Sequence, residues 1–212
     1  MPIDIKRPVF LSGENPGMTL YKSDTDYPVA IISYWHVIDS PHGIGNALVL
    51  WLDEIAVSES ARTLSGIFTD NLSLARTLMQ TLTRYFPEFS DVSVDALAYY
   101  EAHCEHVFND SGQYRVTCKS GQNKIVVEWR DLLDRRSISW SGFPAGNQSF
   151  DLQNVICPCG SGTLIINDFV VNGTVKTGTR TDGHPSSTAF LAFAESWVGP
   201  INAPSDNGSE VS

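Results

Sequence analysis

Between Ala96 and Phe143 apolar and polar residues alternate with a period of two, broken by clusters of turn-forming residues. Tyr114, Val116 and Cys118 alternate with Arg115 and Thr117. Ile125, Val127 and Trp129 alternate with Val126, Glu128 and Arg130. Successive side chains of a strand point to opposite faces, so this pattern specifies strands with one face buried. The interruptions at Asn109-Asp110-Ser111-Gly112, Ser120-Gly121-Gln122-Asn123 and Asp131-Leu132-Leu133-Asp134-Arg135 carry the residues that tight turns require. A string of short strands joined by turns needs a sheet that curls or pairs with itself, because open edges invite aggregation.

The flanking segments extend the pattern. Tyr27 to Ile38 is apolar on both faces, which fits a strand covered on both sides. Asp39 to Gly45 has loop composition, and Asn46 to Asp53 returns as a second strand, so the pair reads as a hairpin. Phe150 to Ile156 and Thr163 to Val171 read as two strands around a Cys157–Gly162 turn. Asn172-Gly173 signals a further tight turn, and Thr188 to Val198 reads as a closing strand or a short helix. One stretch is helical: Leu74, Ala75, Leu78, Met79, Leu82, Tyr85 and Phe86 recur at three- and four-residue spacing. Thr69 or Asp70 can cap it and Pro87 stops it, which places a packed helix at about 71–86. Asp95 to Phe108 fits both templates. The strand is preferred because it sets Glu101, His103 and Glu105 on one face and Tyr100, Cys104, His106 and Phe108 on the other.

These elements define a mainly β chain, an antiparallel β-barrel or strongly curved sheet with one packed helix. The lipocalin-like and calycin-like barrels are its nearest architectural analogy, which rests on strand number and order rather than on a motif. The expected organisation is an irregular N-terminal arm at 1–26, rich in Pro and Gly, a single barrel domain at 27–198 and a disordered tail at 199–212. A net charge of −10 with only 14 Lys and Arg argues against nucleic acid and against an anionic membrane surface. No apolar run reaches the ~20 residues that a spanning helix needs. Early charge at Asp4, Lys6 and Arg7 is unlike a signal peptide, which points to the cytoplasm and to reduced thiols at Cys104, Cys118, Cys157 and Cys159. A homodimer is compatible with the sequence.

Phosphate-binding, dinucleotide-binding and nucleophile-elbow motifs are absent, so no cofactor is expected. What stands out is ionisable groups in apolar strand phases. His36 shares a phase with Ile32 and Tyr34, and His106 shares one with Tyr100 and Cys104. Glu195 sits in an apolar run before Trp197, and Asp53 ends a strand. Imidazoles exchange protons near neutral pH, and a carboxyl in apolar surroundings becomes an acid there, so all four are candidate catalytic groups. Each also has a plainer role, as a hydrogen-bonded core histidine or a solvated strand end. Tyr34, Trp51, Tyr100, Trp129 and Trp140 are candidate ligand-binding rings, although rings on strands fill cores as readily as they line cavities. His103 and His106 could share a metal only on a helix, so the strand assignment argues against a metal site. The expected function is a cofactor-independent lyase, isomerase or hydratase working by acid–base catalysis on a small apolar substrate, terpenoid-like or an epoxide, inside the barrel. The alternative is a non-catalytic carrier or sensor of a small hydrophobic ligand.

Overall fold

Alternation dominates the sequence and strands dominate the fold. The computed structural model describes residues 7–53, 64–110 and 112–202, with Ile201 and Asn202 described by backbone alone. In chain order the elements are β1 (Val9–Glu14), β2 (Gly17–Tyr21), β3 (Pro28–Asp39), β4 (Gly45–Leu52), β5 (Gly66–Thr69), α1 (Leu72–Thr81), β6 (Tyr99–Glu101), β7 (His103–Phe108), β8 (Tyr114–Ser120), β9 (Asn123–Leu132), β10 (Arg136–Ala145), β11 (Gln148–Ile166), β12 (Phe169–Val170), β13 (Thr177–Thr179), β14 (Pro185–Ser187) and β15 (Ala189–Asn202).

Thirteen strands form one sheet along the path β6-β5-β4-β3-β1-β15-β11-β9-β8-β7, with β10 and β12 also on β11. Pairing is antiparallel except between β5 and β6. Because β2 pairs both β3 and β15, and β1 pairs the same two strands, a hydrogen-bonded ring runs through these four. The two ends of the long path also meet: β6 and β7 are separated only by Ala102, whose N–H donates to Thr69 O at 2.9 Å. The sheet is therefore large and curved, and among the described residues hydrogen-bonded closure is confined to the four-strand ring.

Both faces of β3 are covered, as its two apolar phases require. Ala30, Ile32 and Tyr34 join one core with Leu48, Leu50, Val116, Val127, Trp129 and Leu164. Ile31, Trp35 and Val37 join the other, with Val49, Phe150, Trp197 and the buried stripe of α1, Leu74, Ala75, Leu78 and Met79. Each fully buried side chain of this size contributes about 1.5–3 kcal/mol, so the two-sided burial of β3 and β4 anchors the sheet.

Several expectations are corrected. Residues 9–14 and 17–21 are strands of the main sheet where an irregular arm was expected. Gly13 is there for a close approach, since a Cβ would lie 2.0 Å from His36 O. At the other end β15 continues through Gly199–Asn202 by pairing with Gln148 and Ser149, and the remaining tail lies outside the described residues. The helix stops at Thr81 and gives way to 3-10 turns at Thr83–Tyr85 and Pro87–Phe89. Its cap is Asn71, whose Oδ1 accepts from Leu74 N at 3.1 Å, rather than Thr69 or Asp70. The expected Cys157–Gly162 turn is the middle of the single strand β11, where the chain exchanges β10 for β9 as a partner. Pro158, lacking an N–H, sits at that exchange. The segment 99–108 is extended as preferred, and its register places Cys104 opposite Cys118 with Cα atoms 4.1 Å apart. The two are joined in a disulfide where free thiols were expected, while Cys157 and Cys159 are free and buried.

Candidate functional site

The register of the sheet gathers ionisable side chains where β3 ends and β7 passes by. Glu14 on β1 is opposite His36 on β3, and His36 is opposite Asn46 on β4. The turn from β5 into α1 delivers Asp70, whose carboxylate accepts from Asn46 N and Nδ2, both at 2.6 Å. Thr69 Oγ1 donates to Asn46 O at 2.7 Å, so the asparagine is fixed on three sides. From β7, His106 brings its ring to within 4.4 Å of the His36 ring centroid. From β8, Tyr114 stacks on His106 at 5.7 Å and 15° and donates its hydroxyl hydrogen to Glu14 Oε2 at 2.6 Å.

This network assigns the protons. Asp70 accepts from the Asn46 amide nitrogen, so Asn46 Oδ1 faces Tyr34 and His36 as an acceptor. The Tyr34 hydroxyl donates to it at 2.7 Å, and His36 Nδ1 lies 2.9 Å away and must carry the hydrogen that bridges them. With its hydrogen committed, Tyr34 can only accept from His106 Nδ1, 3.4 Å away. Both imidazoles therefore carry hydrogen on Nδ1, oriented ultimately by one carboxylate through one amide.

Electrostatics acts in the same direction. Burial pushes the His106 pKa down, His36 adds to the depression and Glu14 opposes it, so the neutral form of this ring is favoured. Burial chiefly, with neighbouring acids, raises the Tyr34 and Tyr114 hydroxyls far above the ordinary phenol range, keeping both protonated. A neutral imidazole at His106 beside the protonated Tyr34 and Tyr114 hydroxyls is a pairing that proton-transfer sites use. His36, Asn46 and Asp70 open onto a shallow surface groove of about 610 Å³, flanked by the exposed side chains of Ile38, Ile44 and Leu72.

Of the residues singled out in the sequence, the cluster unites His36, His106 and Tyr34. Glu195 lies on the other face of the sheet. Phe193 packs with the Tyr34 core and Trp197 with the helix-side core, and between them Ala194 takes φ 48° where the β11–β15 register shifts. This bulge turns Glu195 away from the histidines. Asp53 is buried at the end of β4, near Tyr27, whose hydroxyl pKa it raises. Trp129 is a core ring whose Nε1 donates to Gly17 O at 2.9 Å. Trp51 packs partly buried on the helix-side core, and Tyr100 stacks on Phe68 at 5.1 Å. Trp140 is 51% exposed with its edge on Phe143. None of these residues outside the cluster borders the groove. On β7 the His103 and His106 side chains take opposite faces, which removes the chelate that a helix would have allowed.

Glu14, Asn46, Asp70 and Tyr114 complete the cluster and were not among the sequence candidates. Asn46 alone carried a signal, since the expected β3–β4 hairpin puts it near His36. Comparison with known protein families, with curated proteins and with solved structures finds no match to this chain.

Proposed function

We propose that the chain is a cofactor-independent lyase, isomerase or hydratase that moves a proton on a small apolar substrate, terpenoid-like or an epoxide, bound in the groove beside His36. In this reading the curved sheet, lipocalin-like by analogy, holds the histidine cluster at the end of β3, beside the groove. The observation that carries this reading is the pair of imidazoles 4.4 Å apart, both oriented by the Tyr34–Asn46–Asp70 network. His36, which lines the groove, takes a proton from the substrate or from water, and His106 stands next to it as the second acid–base group. The Asp70–Asn46 link holds the His36 tautomer, and Glu14 stabilises the charge that forms on His106. The partner is a small apolar molecule, and the −10 charge speaks against nucleic acid.

Incubating apolar epoxides and terpenoids with the protein in D2O, and following products by mass spectrometry, tests the reading. Wild type should yield isomerised, hydrated or deuterated product. His36→Asn should lower turnover about 100-fold or more, the usual contribution of a positioned base. Ligand that binds but returns unchanged and unlabelled would establish the carrier instead. Turnover indifferent to both His36→Asn and His106→Asn would remove the cluster from the mechanism.

A further inference from the structure

On the face of β15 opposite the histidines, Phe86, Phe143, Phe190 and Trp197 wall a pocket of about 150 Å³. Three of the rings brace one another. Phe143 stands nearly perpendicular to Phe86 and to Trp197, at 85° and 89°, and Phe86 lies at 24° to Trp197. Phe190 closes the other side over Gly17, where a Cβ would come within 2.5 Å of its ring. Into this apolar space the bulge at Ala194 sends Glu195, only 3% exposed. Trp197 Nε1 donates to Glu195 Oε1 at 2.6 Å and Asn154 Nδ2 to Oε2 at 3.4 Å.

The unmet polar capacity of this pocket is acceptor capacity. Asn154 Oδ1 is buried with no partner among the described residues, an expensive state for an amide oxygen. Glu195 has lone pairs beyond its two donors, and the Glu88 carboxyl stands half-buried at the rim. Asn15, also on the wall, commits its amide hydrogens to Ser33 Oγ and Tyr34 O at 2.9 and 3.3 Å. Acceptors, a carboxyl and aromatic faces together are complementary to N–H donors carrying positive charge on a compact apolar body. We infer that this pocket is a binding site for a small organic cation, a protonated amine seated against Glu195 and Asn154 with its apolar group on the phenylalanine and tryptophan rings.

The size fits, since a volume of about 150 Å³ is that of one benzene-sized group. The chain's net charge of −10 draws cations toward it. Burial pushes the Glu195 carboxyl up to about 7, so an arriving cation completes its ionisation and binding tightens as pH rises through neutrality. Glu88, the other titratable group lining the pocket, is raised by desolvation and responds in the same sense.

Calorimetric titration of the whole protein at pH 7.5 with benzylammonium and with its neutral counterpart benzyl alcohol tests the assignment. The cation should bind at least about tenfold tighter, the equivalent of one desolvated charge contact. Glu195→Gln should abolish that preference, and Glu88→Gln should reduce it by a smaller factor. Equal affinity for the two probes on wild type overturns the inference, whether or not Glu195→Gln folds. So does a preference that survives in folded Glu195→Gln. The site shares no residue with the histidine groove, so either proposal can fail alone.

Discussion

The two faces of this sheet bury ionisable groups in opposite ways. On the β3–β7 side, His36 and His106 are half-buried and linked by hydrogen bonds through Tyr34 and Asn46 to the exposed carboxylate of Asp70. On the other side Glu195 is sealed among aromatic rings, with two neutral donors and no cation beside it among the described residues. Desolvation drives both sets toward neutrality, which lowers the His106 pKa and raises that of Glu195. A networked base at a groove suits turnover, because its proton can be replaced from solvent. A sealed acid facing unmet acceptors suits recognition, because its charge is completed only by a partner. The comparison holds if the two sites can be disabled separately.

The largest separation is expected from Asn46→Ala. It removes the acceptor shared by Tyr34 and His36 and frees both tautomers, so turnover should fall about 100-fold. Benzylammonium binding, measured on the same sample, should not change. A parallel loss of both would mean that the faces are coupled through β1 and β15 and that the division is wrong.

Next in size is the pH dependence around Glu195. Its carboxyl titrates at about 7 when folded, against an ordinary value of 4.5. The native state therefore binds more protons between these values, and stability falls as pH rises through that window. The loss is on the order of 3 kcal/mol, since each tenfold change in proton affinity is worth about 1.4 kcal/mol. Denaturant titrations at pH 4.5 and 7.5 should show this decline in wild type and a flatter profile in Glu195→Gln. Comparable in size is the disulfide. The Cys104–Cys118 bond closes a loop of sequence separation 14, and its removal by paired Ser substitution should cost about 2–3 kcal/mol. Because the bond ties β7 to β8, the paired substitution should also weaken the His106–Tyr114 stack and reduce turnover, leaving the Glu195 pocket intact.

What the sequence disclosed follows from the range of the interactions involved. Period-two alternation is local, so β8 and β9 and the inward phase of Tyr34, His36 and His106 could be read directly. Glu195 stood out because its neighbours are apolar, and it is buried. Its facing was not legible: a bulge at Ala194 inverts the alternation, and nothing in Phe193-Ala194-Glu195 announces a positive φ at alanine. Asp70 read as a helix cap because its contact with Asn46 depends on β4–β5 pairing. Glu14 and Tyr114 are separated by 100 residues, and only the curvature of the sheet brings them together. Pro158 read as a turn because proline usually interrupts a ladder, whereas here it falls where the strand changes partners.

The smallest effect expected is also the one that opposes Glu195 in sign. Glu14, Tyr34, His36 and Tyr114 surround His106, and burial with the His36 charge holds its pKa below the ordinary value of 6.5. Below pH 6.5 the unfolded chain therefore binds a proton that the native ring refuses, and stability is lost as pH falls until the folded pKa is passed. Glu195 makes the protein less stable as pH rises over much of the same interval, so the two partly cancel in wild type. His106→Asn removes the histidine component alone. Its stability should decline with rising pH between 4.5 and 6.5 more steeply than that of wild type, and Glu195→Gln should shift the slope the other way. The double variant should give the sum of the two changes, as independent sites on separate faces do. An interaction energy well outside about 0.5 kcal/mol in that cycle would show that the faces communicate. The strand to search for the cause would then be β1, where Glu14 pairs with His36 and Gly13 with Glu195.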